Sequence, residues 1–335
     1  MALGLFILSS GISLTPAYAE GEVNVYSSRH YDTDNRLFAD FTETTGIKIN
    51  LIEGKINSLM ERLRFEGKNS PADVIITTDA GRLYQLERDD LLQGIQSDEL
   101  QGKIPANLRH GEGKWFGVTQ RARVIYYDKE TVKNPPQTYT ELADPKYKGM
   151  VCARSSSNIY MLSLLASQIA HNGEDAAKTW AQGLLNNLAR DPQGGDTDQL
   201  RGIVSDECQI AIGNTYYFAR AIRTKVKGLS GHTDKIGVVF PDQGDKGTHV
   251  NISGAGVAKH APNKENAIKL LEYFTSEAAQ TYFASGNDEY PVVPGVALSS
   301  SVQQLGEFEA DVLPLEELGR NQARAQQIYN EIGYK

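Results

Sequence analysis

Short β-strand patterns and helical patterns alternate along the first part of this chain, and this alternation restricts the possible folds more than any other feature. Strand-like runs occupy residues 22–26, 47–52 and 72–77. Segments with apolar residues at helical spacing follow them at 36–41, 59–65 and 81–88. A repeated strand–loop–helix order is typical of α/β proteins with parallel strands. We therefore expect an α/β fold.

Two longer β-like segments divide the chain. At 335 residues it exceeds an ordinary single domain, so two lobes are expected. Residues 116–128 and 251–259 look like extended segments at which the chain leaves the first lobe and later returns. We predict an N-terminal lobe of residues 20–118 and 250–302 and a C-terminal lobe of residues 119–249 and 303–335. Two crossings imply a two-segment hinge and a cleft suited to ligand capture.

The N-terminus carries the pattern of an export signal. Residues 3–14 form an apolar run that is too short to span a membrane as a stable helix. Ala17-Tyr18-Ala19 then supplies the small residues that a signal peptidase accepts. We expect residues 1–19 to be removed on export.

Cys152 and Cys208 are the two cysteines of the sequence. Export would bring them to a compartment where disulfides persist, so we expect a bond between them. Two buried free thiols are the alternative, and two cysteines alone make a poor zinc site.

Charge and motif content narrow the class of function. A formal net charge of -8 and a pI near 5.4 argue against a nucleic-acid partner, because phosphate binding needs clustered lysine and arginine. The sequence contains no zinc-protease, serine-hydrolase, phosphate-loop or dinucleotide-binding motif. A cation is the more natural ligand for such a chain.

Tyrosines stand at three predicted junctions between a strand and a helix. They are His30-Tyr31, Tyr160, and the adjacent pair Tyr216-Tyr217. Open α/β sheets bind ligands at the carboxyl ends of their parallel strands, so these side chains should face the cleft. Phenolate is an anionic oxygen ligand suited to hard Fe³⁺, and a bound trivalent ion would remove the proton that tyrosine normally holds up to a pKa of about 10.

Several of these residues also have ordinary structural explanations. Tyr126-Tyr127 is another adjacent pair among 16 tyrosines, and we interpret it as a strand element with one ring inward and one outward. His30 is equally suited to a loop hydrogen bond, and Asp32 and Asp34 are typical helix caps.

Two further pairs, one of aspartates and one of arginines, also have ordinary structural explanations. Asp196 and Asp198 resemble part of a calcium loop but lack its remaining ligands, so we interpret them as turn residues. Arg121 and Arg123 are typical solvated or ion-paired strand residues, although near a cleft Arg121 could balance the charge of phenolates.

Residues 155–160 (SSSNIY) and 213–220 (GNTYYFAR) carry a resemblance to a known family. Together with residues 23–31 (VNVYSSRHY) and 71–74 (PADV), they are similar to the periplasmic ferric-binding proteins of ABC transporters, above all the cyanobacterial FutA group. The resemblance covers nearly the whole chain after the signal. It implies a class II periplasmic-binding-protein fold, with two α/β lobes, a two-segment hinge and an interlobe cleft.

The resemblance also implies a ligand set. Tyr216 and Tyr217 match the paired tyrosines that bind iron across the family, and Tyr31 and Tyr160 match the additional tyrosines of its tyrosine-rich members. His30 matches a histidine that some members use as a fifth ligand.

One position departs from the wider family. Thr78 stands where other members have a ligand glutamate, which argues against a carboxylate in the site. Four phenolates already outnumber the charge of the ion, so the need for a synergistic phosphate or carbonate is weaker, and its presence is left open. Arg121 would then act as a positive counter-charge beside the metal.

The sequence as a whole predicts a monomeric periplasmic protein, not an enzyme, that captures Fe³⁺ between closing lobes. By the resemblance, it delivers the ion to an inner-membrane ABC permease and its ATPase. One alternative is a receptor of the same fold for a sugar, a polyamine or another anion. The other is an exported enzyme in which the tyrosines act as acids or bases.

Overall fold

The computed structural model describes residues 21–29, 31 and 33–335. The predicted signal at 1–19, His30 and Asp32 lie outside the described residues. Within the described ranges, no helix has both the length and the apolar character that a membrane crossing requires.

Ten strands form one mixed sheet in the described part of the chain. They are β1 (Glu22–Ser27), β2 (Lys48–Glu53), β3 (Val74–Thr78), β4 (Leu92–Gln93), β5 (Phe116–Asp128), β6 (Val151–Cys152), β7 (Ile210–Asn214), β8 (Ile236–Val239), β9 (Val250–Ala258) and β10 (Tyr290–Pro291). The strand order is β2-β1-β3-β9-β5-β7-β6, with β4 beside β9 and with β8 and β10 beside β5.

The helices cover the sheet and connect its strands. They are α1 (Asp34–Thr45), α2 (Ile56–Glu66), α3 (Ala80–Arg88), α4 (Asp98–Lys103), α5 (Ile159–Asn172), α6 (Glu174–Asn186), α7 (Asp196–Val204), α8 (Thr215–Arg223), α9 (Lys264–Phe274), α10 (Glu277–Asn287), α11 (Ser300–Gln303) and α12 (Glu316–Ile332). Short 3₁₀ turns lie at Gly67–Asn69, Ala106–Leu108, Thr140–Ala143, Pro145–Tyr147 and Thr233–Lys235.

The strand–helix order of the first lobe is as predicted. Strand β1 lies between β2 and β3 and is parallel to both. Helix α1 ends at Gly46, which adopts the left-handed conformation (φ 73°) common at helix C-termini. The long strand β5 has the predicted bounds, and Tyr126 is buried in it while Tyr127 is half-buried. The two rings therefore lie on opposite faces of β5, but Tyr127 packs against a second hydrophobic cluster and is not fully outward as predicted.

Strand β5 passes from one half of the sheet to the other. Its first part, through Ala122, pairs antiparallel with β9, and its second part, from Arg123, pairs antiparallel with β7. Helix α12 near the C-terminus packs against α3 and α5 and so contacts both halves. These connections fit the predicted double crossing, and the residue bounds of the two lobes stay a prediction.

Three sequence interpretations differ from the structure. The pattern of residues 149–154 predicts a strand, but the strand is reduced to β6, and at its start Gly149 adopts a positive φ of 73°, outside the extended region. Asp34 lies in the first turn of α1 and pairs with Arg29, so it does not occupy the cap position. Asp196 and Asp198 begin helix α7, and Asp198 accepts a hydrogen bond from the backbone of Gly195 at 2.7 Å, as in a capping box.

The predicted disulfide is present. Cys152 in β6 and Cys208 just before β7 are fully buried and bonded, with their Cα atoms 5.8 Å apart. Gly202 in α7 packs against this bond, since a Cβ there would come within 2.8 Å of the sulfur of Cys208. The bond therefore links β6 to the start of β7, the two strands that precede the helices carrying Tyr160 and Tyr216, and α7 packs against it.

We expect this bond to contribute strongly to stability. It spans a sequence separation of 56 residues, and closing a loop of that length is worth about 4 kcal/mol in the chain-entropy model. A variant with Cys152→Ala and Cys208→Ala should unfold at a lower urea concentration, with a free energy of unfolding reduced by about this amount. Unfolding of the wild type after reduction with dithiothreitol provides the control, and an unchanged midpoint in both would contradict the expectation.

Candidate metal centre

Tyr216 and Tyr217 occupy the first turn of α8, directly after strand β7. The junction is held by β5: the Arg123 guanidinium donates to Asn214 Oδ1 at 2.8 Å, and the Tyr126 hydroxyl donates to the Asn214 carbonyl at 2.9 Å. Tyr216 is buried, and its ring lies with its centroid 4.2 Å from that of Tyr217. The adjacent pair is therefore fixed at the start of a helix by two side chains of the crossing strand.

Tyr160 meets this pair from another helix. Asn158 caps α5 by accepting a hydrogen bond from the Tyr160 backbone N–H at 3.2 Å. This places the Tyr160 side chain in the first turn, where its hydroxyl oxygen lies 3.3 Å from that of Tyr216. Two phenol oxygens at hydrogen-bond distance can act as neighbouring ligands of one ion once both lose their protons.

Tyr31 reaches the same region from the loop between β1 and α1. The Arg29 guanidinium stacks on its ring, with Cζ 4.6 Å from the centroid. Arg29 is itself buried and pairs with Asp34 at 3.0 Å and with Glu289 at 3.2 Å. Burial raises the pKa of Tyr31, and negative charge on Tyr160 would raise it further. The predicted tyrosines of three separate segments are therefore close enough to interact electrostatically.

Arg121 lies buried beside these rings. Its Cζ is 5.9 Å from the centroid of the Tyr160 ring, and its Nη2 donates to Ser253 Oγ at 3.3 Å. Its Nε and Nη1 atoms are also buried and have no hydrogen-bond partner. A buried guanidinium with unused donors is costly unless negative charge stands nearby. Burial acts to lower the pKa of Arg121, and the buried Glu289 carboxylate is the charge that most strongly raises it. The unused Nε and Nη1 donors can donate to further anionic neighbours.

Burial raises the pKa values of Tyr31, Tyr216 and Tyr217. It raises the pKa of Tyr216 well above its usual value, and negative charge on Tyr160 and Tyr31 would raise it further. Burial and then the Glu289 carboxylate raise the pKa of Tyr31, against the opposing effect of Arg29. Burial, followed by charge on Tyr160, raises the pKa of Tyr217 to about 12. A metal ion would have to displace these protons in order to bind.

Several residues that surround the site were not assigned to it from the sequence. Arg123 lies 3.4 Å from the fully buried Asp196, and the guanidinium carbons of Arg123 and Arg154 lie 5.8 and 5.7 Å from the Tyr160 ring. Alternation along β5 offered one signal, because Arg121 and Arg123 are two residues apart and share a strand face. Glu289 gave no comparable local signal.

Some predictions stay untested by this geometry. His30 lies outside the described residues. Thr78 ends β3, and its hydroxyl accepts a hydrogen bond from Arg82 at 2.9 Å, so this position supplies no carboxylate. In the described ranges, no group of three or more histidine, cysteine, aspartate or glutamate side chains is arranged to hold a metal.

The raised pKa of Tyr217 predicts a loss of stability in alkali for the iron-free protein. Its folded-state pKa of about 12 exceeds the unfolded value of about 10. The contribution to stability is therefore complete below about pH 10 and is lost as the pH rises through about 12, which amounts to about 3 kcal/mol. Urea unfolding at about pH 8 and about pH 11.5 measures the loss. Tyr217→Phe should reduce it, and an equal loss in that variant would contradict the assignment.

Similar proteins support the fold and the resemblance. Iron uptake protein A1 of Synechocystis sp. is 50% identical over 315 residues, covering 94% of this chain and 88% of that protein. A structure of Trichodesmium FutA (IdiA) in complex with iron and citrate ligands has a TM-score of 0.91 at 48% identity, covering 94% of this chain and 100% of that one. The Bordetella ferric binding protein has a TM-score of 0.87 at 42% identity, covering 93% and 99%.

A family model of bacterial extracellular solute-binding proteins matches residues 36–310. The match spans most of the chain, and the structural similarities confirm the predicted two-lobed α/β fold of periplasmic binding proteins. Since the family consists of binding proteins, it agrees with the prediction that the chain is not an enzyme. The chain belongs to the family of bacterial extracellular solute-binding proteins.

Proposed function

We propose that this protein binds Fe³⁺ in its cleft through the phenolates of Tyr31, Tyr160, Tyr216 and Tyr217. The convergence of these four side chains around the buried Arg121 carries the proposal. Tyr160 and Tyr216 already lie with their hydroxyl oxygens 3.3 Å apart. The names of similar proteins, an iron uptake protein and a ferric binding protein, support iron as the cargo.

The charge balance of the set favours a trivalent ion. Four phenolates carry four negative charges and Fe³⁺ carries three positive ones, which leaves one negative charge on the cluster. Arg121, with two unused donors, supplies positive charge beside this cluster, in addition to its interaction with the Glu289 carboxylate. This balance does not require a synergistic anion. Binding of iron would also offset the cost of burying an incompletely paired guanidinium in the iron-free protein.

The remaining parts of the proposal follow from the family. We propose that the protein is exported to the periplasm, acts as a monomer and delivers iron to an ABC permease driven by an ATPase. His30, next to Tyr31, stays a predicted fifth ligand.

The first test is the colour of the iron-loaded protein. Adding ferric citrate to iron-free protein should produce a red to orange charge-transfer band, because phenolates donate strongly to Fe³⁺. The double variant Tyr216→Phe, Tyr217→Phe should lose most of this band and weaken iron binding by more than about a hundredfold, which exceeds the usual effect of removing a partner of a metal ligand. Visible spectra and competition with a chelator measure both.

Tyr127→Phe is the matched control, because Tyr127 belongs to the other adjacent tyrosine pair in β5, away from the proposed ligands. It should keep both the band and the affinity. A colourless wild-type protein, or an unchanged affinity in the double variant, would reject phenolate binding.

The second test concerns Arg121. Arg121→Gln should lower the affinity for Fe³⁺ by about ten- to a hundredfold while the charge-transfer band persists, because the phenolates remain but their counter-charge is lost. Arg109→Gln is the control, since the half-buried Arg109 donates to the Ile104 carbonyl away from the tyrosines. An unchanged affinity in Arg121→Gln would show that this guanidinium does not balance the site.

A further inference from the structure

The carboxylate of Asp79 is fully buried where the two halves of the molecule meet. It lies between the end of β3 and the start of α3, next to Thr78. None of the proposed ligands contacts it directly. It nevertheless receives hydrogen bonds from four different parts of the chain.

Two of these hydrogen bonds come from the first half of the molecule and from the returning strand. The Gly81 backbone N–H donates to Oδ1 at 2.8 Å, as expected for the cap of α3. Asn251 in β9 donates from Nδ2 to Oδ2 at 2.9 Å, and its own Oδ1 accepts from the Ala80 N–H at 2.8 Å. These contacts tie the start of α3 to β9, the strand that pairs with β5 beside Arg121.

The other two come from helices of the second half. Ser163 in α5 donates from Oγ, which lies 2.8 Å from both carboxylate oxygens. Gln322 in α12 lies with Nε2 3.4 Å from Oδ1 and 3.3 Å from Ser163 Oγ. Ser163 follows Tyr160 by one turn of the same helix, so the Asp79 carboxylate is linked to the helix that carries a proposed ligand.

The backbone of Asp79 is strained. It has φ 82° and ψ 127°, a region that residues with a side chain rarely adopt. Such a conformation persists only where the surroundings fix it, and it costs on the order of 1–3 kcal/mol. A cap alone does not require this geometry, because a cap residue normally has extended backbone angles. The hydrogen bonds to Ser163 and Gln322 are further contacts that depend on this backbone conformation.

We propose that Asp79 is a positioning residue that holds α5, and through it Tyr160, against the first half of the molecule when the cleft is closed. This inference rests on the proposed binding of iron through Tyr160. It goes beyond that function by naming an interlobe contact that sets how fast iron leaves.

Asp73 offers a matched control for the same chemical change. It is equally buried, and its carboxylate also accepts four hydrogen bonds, from the backbone and side-chain nitrogens of Asn24 and of Asn263. Both partners belong to elements of the predicted first lobe. Asp73→Asn should therefore reduce stability without acting across the cleft.

The experiment compares iron release from the iron-loaded full-length protein. Asp79→Asn tolerates the positive φ and keeps the size of the side chain, but its amide cannot accept all of the donors. Release of Fe³⁺ to excess chelator, followed by the decay of the charge-transfer band, should be at least about tenfold faster than in the wild type, since bonds to a charged group are lost. The band itself should weaken, because Tyr160 is held less firmly. Asp73→Asn should keep the wild-type rate and spectrum.

Ser163→Ala removes the donor of the same contact, and it replaces Asp79→Asn as the test if that variant does not fold. It should also accelerate release, and the double variant should show less than the sum of the two effects because both remove one interaction. Release at the wild-type rate in both single variants, or an equal acceleration in Asp73→Asn, would overturn the role of Asp79 while leaving the proposed function intact. A wild-type protein without a charge-transfer band would overturn both.

Discussion

Strand β5 is the element on which the rest of the structure depends. Its first part completes the sheet of one half and its second part completes the sheet of the other, so both halves are hydrogen-bonded to one continuous strand. Because side chains alternate along a strand, Arg121 and Arg123 point to the same face close to the change of partner. Arg123 fixes the junction that presents Tyr216, and Arg121 lies beside Tyr160. The connection between the halves and the charge of the site are therefore built into the same few residues.

The electrostatics of the iron-free site follow from burial. Taking tyrosine out of water disfavours its charged form, so the tyrosines hold their protons although several guanidinium groups surround them. Arg121 meanwhile keeps two buried donors without partners. The unpartnered guanidinium donors are unfavourable in an empty site, whereas the retained phenolic protons are a cost that a bound cation has to overcome. On the proposed function, the ion replaces the phenolic protons, and the resulting anionic cluster satisfies the guanidinium.

Local patterns in the sequence were sufficient to predict the strand–helix junctions. Parallel strands bring their carboxyl ends to one edge, so Tyr160 and Tyr216 could be expected to meet although they are 56 residues apart. The partners of the buried charges could not be predicted in this way. Arg29 and Glu289 are 260 residues apart, and Asp79 and Ser163 are 84 apart. Which distant carboxylate meets which donor depends on how the two halves pack, and hydrophobic periodicity carries no information about that choice. The strand predicted at 149–154 is longer than β6, and at its start the backbone angle of Gly149 lies outside the extended region.

The distribution of the proposed ligands restricts the order in which iron can be captured. Tyr160, Tyr216 and Tyr217 stand on α5 and α8, whereas Tyr31 comes from the loop after β1. On the proposed function and with the predicted lobe bounds, three phenolates come from one lobe, and closure adds Tyr31 from the other. A ligand shifts such an equilibrium only by its difference in affinity for the open and closed forms. The hydrogen bonds of Asp79 favour the closed form with or without iron, so they must be weak enough to allow the empty cleft to open. Net contributions of about 1.5–3 kcal/mol, typical of hydrogen bonds to a charged group, meet this requirement.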